Sequence, residues 1–445
     1  MVKIEMPATA KLIISELEKN GFEAYIVGGC VRDYILGRTP NDWDICTSAK
    51  PNDVINIFSQ DYHVIETGLK HGTVTVAINK IPYEVTTCRI DGEYTDSRHP
   101  DSIEFTGDIT KDLARRDFTV NAMAYNDKIG IVDVFGGMAD CENKIIRCVG
   151  NAKKRFEEDA LRILRAVRFA SQLGFDIEQD TQNEIHALKQ SLVHISAERI
   201  NAEFCKIITG KCACTILNEY KSVFAEIIPD IQPMFRFEQH NFHHIYDVWG
   251  HTLKALEQAP PDLTIRLAVF FHDIAKPLCF SKSDDGMGHF YGHAKISADM
   301  TRKILADLKF DNDTIKNVTE LIYYHDSEIM PENKYVKRWL GKIGEVQFKR
   351  LLNVKRCDTR GLAPQFIEER LEKFDYIEKL AEEVLSKQEC FSMKSLNING
   401  RDLIKLGMAP GKRMGEILNT LLNRVVDGEI PNDRNTLIRE AKKLI

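Results

Sequence analysis

Two hydrophobic periods divide the chain. Near its start, MVKIEMPATAKLIISELEKNG spaces apolar residues as a helix does, interrupted by lysines and glutamates, with Gly21 as the C-cap. Tyr25, Ile26 and Val27 form a short β-rich run ending at Gly28 and Gly29, and a helix opens at Cys30. NDWDICT predicts a second strand, with Asp42 and Asp44 projecting to one face and Trp43 turned into the core behind them. Pro51 to Phe58 predicts a helix, and HGTVTVAI, from His71 to Ile78, alternates as a strand. Val85, Thr86 and Thr87 belong to another β-rich run. After Arg89, IDGEYTDSRHPDSIEF is rich in Asp, Gly, Ser and Pro and reads as a mobile loop. IVDVF predicts a strand closed by a turn at Gly136 and Gly137.

Beyond Arg147 the helical period takes over. From Arg155 to Phe175, Leu161, Leu164, Val167 and the Phe169 to Leu173 set make a buried stripe stopped by Gly174. Further helical segments include Ser196 to Gly210 and those that follow Phe237. The tail reads as helix, turn at Gly407, Pro410 and Gly411, then an amphipathic helix from Met414 with Lys412 and Arg413 at its start. The pattern predicts an α/β head, a mixed sheet with helices, followed by an all-α remainder. Domains are expected at 1–147, 148–236, 237–365 and 366–445.

At 445 residues the chain is long enough for several cores, and with 43% hydrophobic and 28% charged residues it has a globular composition. The net charge of -6 neither announces nor excludes a nucleic-acid partner, because phosphate contacts need a local basic face rather than a basic total. Eleven cysteines without a Cys-x-x-Cys pair predict reduced thiols in a cytosolic compartment. The first residues lack the continuous apolar core of a signal peptide, and no run reaches the ~20 apolar residues of a membrane span.

Chemistry concentrates first between Tyr25 and Thr47. Gly28 and Gly29 let the backbone approach a ligand, the helix N-terminus behind them favours an anion, and Arg32 adds a fork-shaped phosphate donor. Asp42 and Asp44 repel each other unless a cation lies between them; in front of a triphosphate that cation is Mg²⁺. GGCVRD with NDWDICT resembles the nucleotidyltransferase superfamily typified by polymerase β, specifically its class II tRNA nucleotidyltransferase branch, the CCA-adding enzymes. The resemblance implies metal-holding roles for Asp42 and Asp44, with Glu84 as third carboxylate. It also implies a flexible loop after Arg89 that helps the enzyme change between incoming nucleotides. RRDFTVNAM adds Arg116 as a nucleotide contact, with Arg115 beside it.

A second centre lies at EDALRILRAVR. Asp159, Arg162, Arg165 and Arg168 are three apart, and three arginines on one ridge favour an anion over an exposed ladder of ion pairs such as Glu158 with Arg162. Cytosine and adenine share an exocyclic amino donor beside a ring-nitrogen acceptor. A carboxylate with a guanidinium satisfies both, whereas guanine and uracil reverse the pattern and leave buried polar groups unpaired at ~1–3 kcal/mol each. This matches the family's EDxxR motif, a protein template, with Arg165 and Arg168 assisting base and phosphate. The ERI segment that follows resembles a family motif supporting the neck, and Glu198 and Arg199 read as structural.

From about Phe237, histidines and an His-Asp doublet fall on successive helical segments. Imidazoles with carboxylate make a site for a divalent transition metal able to activate water for phosphoester hydrolysis. The stretch resembles the HD phosphohydrolase domain, which implies His251, His272 and Asp273 as ligands and Asp358 as the closing one; His293 and His325 suit a second metal. The tail resembles the tRNA-binding part of CCA-adding enzymes that carry an HD insertion. Together these resemblances imply an elongated molecule that adds CCA to the tRNA 3′ end from CTP and ATP. An A-adding or CC-adding specialist, a poly(A) polymerase and an HD phosphohydrolase with a retired head are the rival readings.

Overall fold

The computed structural model describes residues 3–92, 94 and 102–445. These form two compact units, Met1–Pro229 and Asp230–Ile445.

In the first unit, α1 (Ala8–Lys19) buries Ala10, Ile13, Ile14 and Leu17, the stripe its spacing dictates. The strands that follow are β1 (Ala24–Val27), β2 (Ile45–Thr47), β3 (His63–Gly68), β4 (Thr73–Ile78), β5 (Ile81–Thr87), β6 (Arg89–Asp91), β7 (Ile103–Phe105), β8 (Ala124–Asn126) and β9 (Gly130–Val132). Between them run α2 (Gly29–Ile35), α3 (Pro51–Phe58), α4 (Ile109–Ala114) and, after β9, α5 (Gly137–Asn143). Seven strands form one sheet in the order β3-β4-β5-β2-β1-β8-β9, with β2 and β5 its parallel neighbours. Their register pairs Ile45 with Val85. Asp44 and Glu84, each one residue earlier, therefore reach the same end of the sheet.

Several local expectations change. The helix after the glycines starts at Gly29 rather than Cys30. Asp42 and Asp44 sit in the irregular lead into β2 rather than on the strand, and Trp43 is half-buried instead of turned into the core. His71 closes a 3-10 turn, so the alternating strand begins at Thr73. The ends of the expected loop after Arg89 form an antiparallel ladder, Arg89 opposite Phe105 and Asp91 opposite Ile103; residues 93 and 95–101 lie outside the described residues. IVDVF stops at Val132 because Asp133 turns to accept from the Gly137 and Met138 N–H groups that open α5.

The largest departure concerns Arg155 to Phe175, which is two helices. α6 (Ala152–Glu158) ends at Asp159, whose backbone is extended (φ −151°, ψ 103°), and α7 (Leu161–Leu173) begins after Ala160. Gly174, at φ +72°, ends α7 in the left-handed conformation that glycine adopts without strain. α8 (Gln179–Leu188), α9 (Ala197–Ile208), α10 (Ala213–Glu219) and α11 (Lys221–Ile227) complete the unit, with α9 packed against α7.

The second unit is helical apart from one short two-stranded ladder. Its helices are α12 (Val248–Glu257), α13 (Leu263–Phe271), α14 (His293–Asp307), α15 (Asn312–Tyr324), α16 (Asn333–Ile343), α17 (Glu345–Arg360), α18 (Ile367–Ser386), α19 (Gly400–Lys405), α20 (Lys412–Val426) and α21 (Arg434–Leu444). α12, α13 and α17 pack together, and α15 joins them through α13. The C-terminal helices enclose a separate cluster around Leu403, Leu421, Leu437 and Ala441. Among the described residues no helix is long and apolar enough to cross a membrane.

Candidate functional site

A cleft of about 760 Å³ in the first unit gathers most of the residues singled out above. Gly28 forms its floor at φ +78°, a conformation that favours glycine, and a Cβ there would stand 2.8 Å from Arg116 Nη1. Both backbone and space demand glycine. Arg32, on α2, donates to Asn121 Oδ1 at 2.5 Å and to Asp33, and its guanidinium lies 5.1 Å from the Phe169 ring centre. Arg115 and Arg116 share the fully buried Asp112, with Arg115 Nη2 at 2.6 Å and Arg116 Nη2 at 3.3 Å. Burial alone would raise the Asp112 carboxyl; the two guanidiniums hold it below its ordinary value.

Asp42 and Asp44 line the same cleft. Asp44 is exposed to the cleft, yet loss of bulk water there raises its carboxyl, repulsion from Glu84 and Asp42 adds to the rise, and Arg116 opposes it. Asp42 and Glu84 thus both act on Asp44 electrostatically. A hard divalent cation relieves the repulsion on Asp44, and an all-oxygen donor set suits Mg²⁺. Glu84 is not among the residues lining the cleft, and among the described residues the three carboxylates do not form a closed ligand cage.

α7 and α9 also line the cleft. Because the chain breaks at Asp159, this carboxylate does not share a helical ridge with the arginines; it accepts from the Leu161 N–H at 3.1 Å and from Arg199 Nη2 at 2.7 Å. Arg162 makes the ion pair with Glu158 at 2.6 Å and also donates to the carbonyls of Arg155 and Arg115. Nε–H and one Nη2–H remain for a ligand. Arg165 pairs with Asp117, Nε donating at 2.7 Å, and Arg168 Nε stands 3.0 Å from Glu203. Burial would raise the Asp117 carboxyl, but Arg165 beside it brings it down to about 2. Phe169 carries Arg32, Arg165 and Arg168 around its ring. Arg199, expected to be structural, lines the cleft, as do Asn121, Phe169, Gln172 and Lys206, none of which was anticipated.

In the second unit six residues meet. His251 comes from α12, His272 and Asp273 from the end of α13, His293 opens α14, His325 caps α15 and Asp358 comes from α17. Each of the four imidazoles donates Nδ1–H to a backbone carbonyl, of Gly361, Val269, Phe290 and Ile322, so its Nε2 is turned inward. Asp273 Oδ2 lies 3.5 Å from His251 Nε2 and 3.1 Å from His272 Nε2; Oδ1 lies 3.3 Å from His293 Nε2 and 3.8 Å from His325 Nε2. Asp358 Oδ1 is 2.9 Å from His251 Nε2. Lys276 Nζ stands 2.7 Å from Asp273 Oδ2. Burial works against charge on His272, yet the Asp273 and Asp358 carboxylates raise it to about 10; burial and the neighbouring histidines push His325 down to about 3. Two inward nitrogens on each side of one carboxylate fit a pair of divalent metals.

Three families match parts of the chain. The Poly A polymerase head domain matches residues 24–147, the probable RNA and SrmB- binding site of polymerase A residues 174–231, and the tRNA nucleotidyltransferase domain 2 (putative) residues 280–441. The CCA-adding enzyme of Ligilactobacillus salivarius is 34% identical, covering 97% of this chain and 95% of its own. That of Limosilactobacillus fermentum is 32% identical over the full length of both. The crystal structure of the Bacillus stearothermophilus CCA-adding enzyme in complex with CTP superposes with a TM-score of 0.70 at 29% identity, covering 99% of this chain and 98% of that one. The Thermotoga maritima CCA-adding enzyme complexed with tRNA shares the fold, with a TM-score of 0.60 over 97% of this chain and 94% of its own, at 20% identity. With such identity sustained over nearly the whole length, the chain belongs to the family of CCA-adding enzymes.

Proposed function

We propose that this protein adds CCA to the 3′ end of tRNA from CTP and ATP, without a nucleic-acid template and with release of pyrophosphate. The observation that carries the reading is one cleft lined by Asp42 and Asp44 together with Asp159 and Arg162. Gly28, Gly29, Arg32 and Arg116 hold the triphosphate. Asp42 and Asp44 hold Mg²⁺, with Glu84 beside them, and when bound the cation neutralises charge developing on the transferred phosphoryl group. Asp159 accepts from the base amino group and Arg162 donates to the ring nitrogen, with Arg165 and Arg168 keeping the arginine wall in place. We place the activity in the cytosol on the sequence pattern of eleven cysteines without a Cys-x-x-Cys pair.

Three tRNA transcripts test this, ending before the tail, after one C and after CC, each offered CTP, ATP, both, GTP or UTP with Mg²⁺. Completion on all three with GTP and UTP refused is expected. Addition of A to the CC-ended transcript alone indicates an A-adding specialist, and addition of C residues alone a CC-adding one.

The second unit supports a second reading, an HD-type phosphoesterase, because Asp273 is shared by two inward-facing histidine pairs. His251, His272, Asp273 and Asp358 would hold one divalent transition metal, and His293 and His325 with Asp273 a second; bound metal lowers the pKa of water for attack on a phosphoester. Metal analysis of the purified protein and of His272→Ala, alongside hydrolysis of a generic phosphodiester, tests it. A metal-free protein inactive with every added divalent ion would exclude it.

A further inference from the structure

We infer that Lys355 is a positioning residue for the second metal of the histidine cluster: by holding the last turn of α15 it fixes His325 as a ligand, while the first metal position stands without it. The inference rests on the reading of the second unit as a two-metal centre.

Lys355 lies on α17, three residues before Asp358 and so next to it along one face of the helix. The residue is buried, 6% exposed, where an ammonium is costly unless its hydrogen bonds are met. Nζ donates to the His325 carbonyl at 2.6 Å and to the Ser327 carbonyl at 2.6 Å. His325 is the C-cap of α15, and the carbonyls at the end of a helix lack partners within it and carry the negative end of its dipole. A buried cation at that point answers both. His325 is thereby held from two directions: its ring donates Nδ1–H to the Ile322 carbonyl at 2.6 Å, and its main chain is tied to α17.

The two metal positions depend on this contact unequally. His325 belongs with His293 and Asp273 in the second. The first draws His251 from α12, His272 and Asp273 from the end of α13 and Asp358 from α17, and the Gly361 and Val269 carbonyls orient its two imidazoles. It is built without Lys355. Nor does α15 as a whole hang on Lys355, because Gln347, two turns earlier on α17, donates to the Asn317 carbonyl at 3.1 Å and to Glu320 at 3.0 Å. Loss of Lys355 therefore frees only the final turn of α15, and with it the aim of one imidazole. Outer contacts of this kind orient metal ligands, and removing one weakens binding by roughly 10–100-fold.

The test titrates untagged, metal-free, full-length protein with Co²⁺ in excess Mg²⁺, which keeps the carboxylates of the first unit occupied. Bound cobalt per chain and the Co²⁺ absorption spectrum are read for the unmutated protein, Lys355→Met, Lys355→Gln and His293→Ala, each with its Tm. Two Co²⁺ per unmutated chain are expected, and His293→Ala, lacking a ligand of the second position, supplies the spectrum of a chain filled at the first alone. Lys355→Met should weaken the second Co²⁺ by roughly 10–100-fold and leave the first unchanged. At a Co²⁺ concentration that fills both positions of the unmutated protein it should then show the His293→Ala spectrum. Lys355→Gln, which keeps a donor without the charge, should fall between. Native affinity for both ions in Lys355→Met overturns the inference, and equal weakening of both leaves Lys355 as a brace of the fold. Unmutated protein that takes up no Co²⁺, or only one, breaks the two-metal reading itself. Should Lys355→Met not fold, Lys355→Gln decides: a weaker second ion at native Tm supports the inference, and native affinity for both counts against it.

Discussion

Asp117 shows how a single buried carboxylate couples the cleft to stability. Its folded pKa, about 2, lies below the ordinary aspartate value because Arg165 outweighs the cost of burial. A group depressed on folding stabilises above its unfolded pKa and loses that contribution as pH falls toward the folded value. Asp117 therefore contributes about 2 kcal/mol at neutral pH, and the contribution fades between about pH 4 and pH 2. Asp117→Asn is expected to lower the denaturant midpoint at pH 7, with the gap from the unmutated protein shrinking by pH 3. A gap of equal size at both pH values would show that charge is not what Asp117 supplies. At this scale the sequence was informative wherever a residue acts through its own chemistry: the glycine pair, Arg32, the three head carboxylates and the six residues of the histidine cluster were all named from it. It was silent on Asn121 as the anchor of Arg32 and on Asp117 as the partner of Arg165, 48 positions away, because no spacing encodes such pairs.

Among elements, the break at Asp159 is the instructive case. Leu161, Leu164 and Val167 keep a helical phase, and their spacing predicts one helix where the structure has two. What ends α6 is a capping contact, the Asp159 side chain taking the Leu161 N–H, and capping by aspartate competes with helix continuation. Hydrophobic period cannot register it, since the apolar positions are the same either way. Arg199, part of a supporting motif by resemblance, lines the cleft. The α7–α9 contact that positions it is close: a Cβ at Gly210 would meet Ser171 Oγ at 2.1 Å and the Ser171 carbonyl oxygen at 2.9 Å. Gly210→Ala should force the helices apart at a cost of about 1–3 kcal/mol, seen as a lower Tm together with weaker nucleotide selectivity. An unchanged Tm would mean that the pair tolerates the shift.

At the scale of the whole molecule, the two chemical centres lie in separate compact units, each assembled from its own elements. Asp44→Asn is expected to abolish nucleotide addition while leaving the metal content of the second unit intact, and His272→Ala should strip metal while sparing addition. Loss of CCA synthesis in a folded His272→Ala protein would show that the centres depend on each other. The mixed sheet followed by helices was legible from the change of period, and the family resemblance carried the domain order; the cleft, built from contacts across the sequence, was not. Its furnishing has an electrical consequence. Arg32, Arg115, Arg116, Arg162, Arg165, Arg168 and Arg199 each keep a resident carboxylate, three of which, Asp112, Glu158 and Glu203, stand behind the cleft lining. Paired in this way, the guanidiniums act as short dipoles whose fields fade within a few ångströms instead of reaching into solvent. The cleft is then a poor lure for polyanions at large and a good gauge of whatever seats itself, so nucleotide affinity should fall only gently as salt is raised.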